Sequence, residues 1–319
     1  MTLAHTIPQT GVIIIQVPKW NPEATTPQSV LSVGAVGCTA TTGFVLTSQI
    51  VCTFSQNVNT ASTIDQLTIT GEFDSTATSI QFRVSNFRNP PSLTSFAGIS
   101  ITTSTSTTSQ KIDQATNVNF GVTTAATLDS SRITMTLGNT EINMETTYQF
   151  FIRVGLPLPS SSSIKLTFPS TITPATTGLV VTGNSGVASD ITEAYDSATR
   201  ILTLTNIVLT TSNYVSEGSF IDFTVNLVTN PSTTKTSDSF VYSSFDANES
   251  AIETASTGVT ITATAGSITS ATVTPADTTI RTTTSYTFSF QTENEVPVGA
   301  ILYVTFPSII SIADRTATS

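Results

Sequence analysis

The chain has 319 residues and a mass of 33.5 kDa, with 11 Lys and Arg against 21 Asp and Glu. Only 10% of residues are charged, while 66 Thr and 41 Ser make up a third of the chain, so acidic disorder, which needs dense like charge, is excluded. The net charge of −10 argues against nucleic acid as a partner, and a single His, at position 5, leaves no His pair for catalysis and no multi-His metal site.

The start, Met1 to His5, has neither the basic nor the apolar stretch of a signal peptide. The aliphatic run Val12 to Ile15 is far shorter than the roughly 20 residues of a spanning helix, and no membrane span is expected. Val12 to Val17 reads as a strand closing on Pro18. Cys38 and Cys52 follow, each beside a short apolar run. Their 14-residue spacing suits a disulfide across a β-hairpin or between neighbouring strands, and two buried thiols are the other reading. The disulfide is favoured, and with it an oxidising, extracellular compartment.

Leu67-Thr-Ile-Thr70 and Ile80-Gln-Phe-Arg-Val84 come next, then Asn89-Pro90 and Ser95-Phe96. Further on, Ile133-Thr-Met-Thr-Leu137, Leu202-Thr-Leu204, Ile221-Asp-Phe-Thr-Val225 and Val259-Thr-Ile261 alternate apolar with polar residues. Period two puts one face of a strand on a core and the other in water, and β-branched Thr and Val favour the pleated backbone. No window carries a helical apolar stripe, so the class is all-β.

The strands recur as copies. Ile133 to Ser170 aligns without a gap on Ala271 to Ser308, 138 residues on: Tyr148 and Phe150 meet Tyr286 and Phe288, and Phe168-Pro169 meets Phe306-Pro307. Ile7-Pro8 and Val17-Pro18 align with Leu158-Pro159 and Phe168-Pro169. Ile80 to Val84 with Asn89-Pro90 matches Ile221 to Val225 with Asn230-Pro231, and Phe96 falls near Phe240. A unit of about 138 residues suits an immunoglobulin-like sandwich. The expected organisation is a sandwich lacking its first strands over residues 1–130, a complete one over 131–268, and the opening of a third over 269–319.

Val17-Pro18, the Cys38 and Cys52 pair, Leu67 to Thr70, Asn89-Pro-Pro-Ser92 and Ser95-Phe96 together form a pattern that resembles the tandem β-sandwich repeats of large extracellular proteins of protists. It covers nearly all of the first unit; the second lacks both cysteines. The resemblance implies a place in a surface coat or a glycosylated extracellular fibril.

Candidate chemistry is sparse. Gly183-Asn-Ser-Gly186 is superficially like the turn around a serine nucleophile, but the only His lies in another unit, and a Gly/Asn hairpin turn after Val180-Val181 is the better reading. Asp190, Glu193 and Asp196, and Asp246, Glu249 and Glu253, match no dedicated Ca²⁺ loop and read as solvated loop charges, so no cofactor is expected. Asn248-Glu-Ser250 is an N-glycosylation sequon without a blocking Pro. The runs Thr102, Thr103, Ser104, Thr105, Ser106, Thr107, Thr108, Ser109 and Ser160, Ser161, Ser162, Ser163 are candidate O-glycosylation tracts; the plainer reading is hydroxyls on wet strand faces.

The functional expectation is an extracellular structural subunit, not an enzyme, whose partner is itself. The first unit lacks counterparts of Ile133 to Leu137 and Tyr148 to Ile152, and the tail carries them. Head-to-tail insertion would use Ala271, Val273, Tyr286, Phe288 and Phe290, leaving Ile301 and Tyr303, on an expected strand 301–306, to pack elsewhere. The alternatives are a cell-surface adhesin or a piece of a longer covalent repeat polypeptide.

Overall fold

The computed structural model describes residues 1–18, 36–46, 50–55, 64–86, 89, 92–93, 96–106, 110–208, 214–296 and 298–310. Among the described residues the regular structure is strand, apart from one 3-10 turn at Ser130–Arg132.

The first group of strands is β1 (Val12–Pro18), β2 (Gly37–Thr42), β3 (Val51–Ser55), β4 (Ile64–Thr70), β5 (Gln81–Ser85), β6 (Phe96–Ser104) and β7 (Lys111–Phe120). They form a five-stranded sheet, β3-β4-β1-β6-β7, and a two-stranded sheet, β2-β5. The core between them holds Ile7, Ile13, Leu67, Ile69, Phe73 and Ile80. In β4 the alternation of buried Leu67 and Ile69 with outward Thr68 and Thr70 is the period-two pattern of the sequence.

The second group runs β8 (Ala126–Thr127), β9 (Ile133–Leu137), β10 (Glu145–Arg153), β11 (Leu158–Pro159), β12 (Ser163–Thr167), β13 (Thr173–Pro174), β14 (Val181–Ser185), β15 (Thr192–Asp196), β16 (Ile201–Thr205), β17 (Tyr214–Val215), β18 (Phe220–Thr229), β19 (Val241–Phe245) and β20 (Ala251–Ala255). One sheet is β13-β18-β10-β9 with β14 also on β18; the other is β15-β16-β12-β19-β20-β8. Both face one core, in which Phe150 stacks on Phe223 at 5.5 Å and meets Phe240 edge-on at 5.6 Å. The fold is therefore a pair of two-sheet β-sandwiches in tandem.

The copies seen in the sequence superpose as topology. The order β15-β16-β12-β19-β20 repeats β3-β4-β1-β6-β7, and β14-β18 repeats β2-β5. Even irregularities recur: β2 slips against β5 between Ala40 and Thr42, as β14 slips against β18 between Gly183 and Ser185. Register corrects one alignment: Ile101 and Tyr242 face the equivalent Ile15 and Leu166, so Ile99, not Phe96, holds the place of Phe240.

The sandwiches touch through short elements. β8 runs parallel to β20 at the edge of the second sandwich, Leu93 donates its N–H to the Ala251 carbonyl at 2.9 Å, and the Ser92 hydroxyl donates to Asp246 at 2.6 Å. After β20, Val259, Ile261 and Ala263 bury themselves in the second sandwich. The chain then forms an exposed hairpin, β21 (Ile268–Pro275) and β22 (Tyr286–Thr292). Residues 301–306, expected as a strand, pair with nothing among the described residues. Their counterpart β12 lies between β16 and β19 in the second sandwich, and no described strand of the tail flanks 301–306 in that way.

The outward strand faces are rich in hydroxyls. Thr53 lies opposite Thr68 and Thr182 opposite Thr224, while the Ser243 and Thr254 hydroxyls share a hydrogen bond at 3.1 Å.

Candidate assembly surfaces

Cys38 and Cys52 are joined in a disulfide with a Cα–Cα separation of 5.8 Å. Cys38 lies on β2 and Cys52 on β3, neighbouring strands that belong to different sheets, so the bond crosses the sandwich and does not staple a hairpin.

Among the described strands, β5 has fewer partners than its counterpart β18. In the second sandwich β18 pairs with β14 on one edge and β10 on the other; β5 pairs with β2 alone among the described strands. Beside the start of β5, residues 2 and 3 take part of the place that β10 has beside β18. Thr2 bridges Ser79, and Leu3 donates its N–H to the Thr78 carbonyl at 3.0 Å. These repeat the Arg153 to Phe220 pairing and the Val154 to Ser219 bond of the second sandwich. Phe82 and Val84 are consequently only half-buried, whereas their equivalents Phe223 and Val225 are fully covered. An open cavity of about 180 Å³, lined by Met1, Ile80, Gln81, Phe82 and Ile101, lies on this side.

The tail presents the reverse. Val273, Tyr286, Phe288 and Phe290 are exposed apolar residues on β21–β22; Ala271, two residues before Val273, is exposed too, and Ile301 and Tyr303 lie beyond, 72% and 84% exposed. Phe288 meets its own tail's Phe306, edge-on at 5.9 Å.

The sugar candidates divide by burial. Asn248 is exposed in a turn that Asp246 ties by accepting the N–H groups of Asn248 and Ser250. Thr105, Ser160 and Ser161 are exposed and Ser106 is half-buried. Thr102, Thr103, Ser104, Ser162 and Ser163 are buried, so a glycan on them has no room in this fold. Their position on or beside core strands β6 and β12 was hidden by the hydroxyl-rich sequence. Thr107, Thr108 and Ser109 lie outside the described residues, as does Ser95.

The acidic residues serve separately. Asp190 accepts from the Asn206 amide at 2.9 Å, Asp196 ties the β15–β16 turn by accepting from Ala198 and Thr199, and Glu249 pairs with Lys165. No three His, Cys, Asp or Glu side chains converge among the described residues. Gly183 to Ser185 lie inside β14, not in a hairpin turn, and Gly186 follows at φ 71°.

Glu253 corrects the expectation of solvated charge. It is 1% exposed and accepts the Gly155 N–H at 3.0 Å, the Leu156 N–H at 3.1 Å and the Tyr242 hydroxyl at 3.3 Å. Burial raises its pKa to about 7, against the opposing pull of these donors and of Arg132. Burial likewise lifts the Tyr242 hydroxyl well above its ordinary value. Also unforeseen is Asn230, buried at the end of the second sandwich. It accepts the Tyr148 hydroxyl at 2.7 Å and donates to the carbonyls of Asn139 and Glu141 at 2.9 and 2.7 Å. The recurring Asn-Pro was its sequence signal.

No family model and no curated protein matches the chain. Among solved structures it is similar to the C-terminal domain of the AgI/II polypeptide BspA of Streptococcus agalactiae (9% identity, 77% of this chain, 85% of that one, TM-score 0.29). It is also similar to a type II cohesin dyad from the ScaA scaffoldin of Acetivibrio cellulolyticus (11% identity, 81% and 91%, TM-score 0.27). A third is the N-terminal domain of the Streptococcus gordonii adhesin Sgo0707 (10% identity, 81% and 57%, TM-score 0.30). These are bacterial, not protist, proteins, and likeness at this level carries no functional argument.

Proposed function

We propose that the protein is a structural subunit of an extracellular filament or surface coat, in which the C-terminal strands of one copy complete the N-terminal sandwich of the next. The protist coat and fibril repeats that the sequence resembles are its model. One observation carries this: among the described strands β5 pairs with β2 alone where β18 also pairs with β10, while β21–β22, the counterpart of β9–β10, pairs with no other strand. An exposed edge beside exposed apolar strands invites strand addition, and a head-to-tail contact of this kind need not close. The disulfide and the exposed Asn248 sequon suit the extracellular setting.

The test compares residues 1–319 with a version ending at residue 268, by light scattering and electron microscopy. The longer chain forms linear assemblies and the shorter stays monomeric. If both stay monomeric, or both polymerise equally, the tail is not the donor. Native material whose first sandwich is preceded by its own covalent β9–β10-like hairpin would also overturn the assembly.

A second reading, a carbohydrate-binding adhesin, is favoured by an open cavity of about 320 Å³ beside the β15–β16 turn, lined by Lys165, Tyr195, Asp196, Thr199 and Thr203 among others. Glycan binding abolished by Tyr195→Ala would support it.

A further inference from the structure

The second sandwich shows what a filled β5 edge looks like. Between β10 and β18, Tyr148 lies opposite Val225, Gln149 opposite Thr224 and Phe150 opposite Phe223. Carried over through the repeats, these pairs become Tyr286 with Val84, Thr287 with Arg83 and Phe288 with Phe82.

The geometry points to a defined docking register: Tyr286 and Phe288 of one copy take the places beside Val84 and Phe82 of another, and Asn89 receives the Tyr286 hydroxyl. It rests on the head-to-tail assembly proposed above and specifies its contacts.

The donor hairpin already has the conformation it needs. Val273 lies opposite Phe288 and Pro275 opposite Tyr286, as Met135 lies opposite Phe150 and Leu137 opposite Tyr148. The turn is repeated bond by bond. The Thr284 hydroxyl accepts the Asp277 N–H, and the Asp277 carboxylate accepts the Thr279 N–H, as Thr146 does for Asn139 and Asn139 for Glu141. Arg281 takes φ 65° where Asn143 takes 55°. A hairpin fixed before binding loses little conformational entropy on docking.

The acceptor is equally prepared. β2 supports β5 in the register that β14 gives β18, and the half-buried Phe82 offers the face on which Phe288 stacks. In the free tail Phe306 covers Phe288 edge-on; after docking Ile99, at the position of Phe240, takes that role. Asn89 occupies the position of Asn230 and is exposed. With the hairpin docked it faces the Tyr286 hydroxyl and the carbonyls of Asp277 and Thr279, the set Asn230 satisfies within its own sandwich. Pairing stops at Ser289, because Met1 already occupies the place that Phe290 would take: the Ile80 N–H bonds the Met1 carbonyl at 3.0 Å.

The test uses full-length chains carrying single cysteines on the outward face. Arg83→Cys mixed with Thr287→Cys places directly opposed residues together, and mild oxidation should link the two copies. Arg83→Cys mixed with Ser289→Cys should not crosslink, because diagonal neighbours lie roughly 7–8 Å apart, beyond the reach of a disulfide. Tyr286→Phe should weaken assembly about fivefold, one hydrogen bond's worth; Asn89→Ala should weaken it more, because the bonds to the Asp277 and Thr279 carbonyls go as well, and the double variant should be no weaker than Asn89→Ala. Assemblies that form normally but crosslink equally in both mixtures, or in neither, overturn the register and leave head-to-tail assembly standing. Indifference of assembly to both Tyr286→Phe and Asn89→Ala overturns the role of Asn89. Absence of any assembly from the unmodified chain overturns the assembly itself.

Discussion

Replacing Glu253 with Gln should make the second sandwich more stable at pH 8 and flatten its response to pH. The carboxyl is buried between β20 and the 154–157 loop, and its folded pKa of about 7 lies above the ordinary glutamate value of 4.5. Between those two values the folded protein keeps a proton that the unfolded chain releases. Stability is therefore fully present below about pH 4.5 and is lost as pH rises through 7. At 1.36 kcal/mol per pKa unit the loss is about 3 kcal/mol. The substituted side-chain amide would keep an acceptor for the Gly155 and Leu156 N–H groups and a donor toward Tyr242, with no charge to desolvate. Urea unfolding at pH 5 and pH 8, followed by the near-ultraviolet dichroism of Tyr148, Tyr195 and Tyr242, reads the difference directly. The wild type should lose about 2–3 kcal/mol between the two conditions and Glu253→Gln less than about 1 kcal/mol, at unchanged m. A wild type equally stable at both, or a variant with the same decline, refutes the account of a desolvated carboxyl. The surface carboxylates Asp74, Asp113, Asp129, Asp196 and Asp277, held low by hydrogen bonds, act only on the acid side, where stability falls as pH drops through their folded values.

Reducing Cys38–Cys52 should lower the first sandwich's unfolding free energy by about 3 kcal/mol and leave the second sandwich's transition in place, as calorimetry would show. Tyr148→Phe strands the buried Asn230 carbonyl and should cost about 1–3 kcal/mol in denaturant unfolding. Gly186→Ala should cost about 2 kcal/mol or more, since φ is 71° there and a Cβ would sit 2.0 Å from the Phe220 carbonyl oxygen; a variant with unchanged melting temperature would contradict it.

Strands were legible wherever one face is wet and the other dry, as in β4, β9, β16 and β18, because alternation is then written into the residues. Register was less so. Ile99 and Phe96 are both apolar members of one strand, and only the ladder with β1, continued one residue past Ser100, gives Ile99 the register position of Phe240. Glu253 was hidden by a bulge. β20 slips against β19 between Ser244 and Phe245, so Ile252 and Glu253 are buried in succession and simple alternation misleads. The buried hydroxyls of Thr102 to Ser104 escaped notice because Ser and Thr are small and neutral enough to line an interior as well as a surface. The two halves of the proposed assembly surface were visible in the sequence as unequal copies of one motif. The preformed turn at 276–285 and the place of Asn89 needed the hydrogen bonds.

The hydroxyl-faced strands carry a consequence for the medium the protein can work in. A surface of Thr and Ser meets water through short-range dipoles that ionic strength does not touch. Raising salt from 0.01 M to 0.15 M shortens the reach of a charge from about 30 Å to about 8 Å. With only 10% of residues charged, there is little here for that change to act on. Strand registry within each sandwich should hold alike in dilute and in saline water.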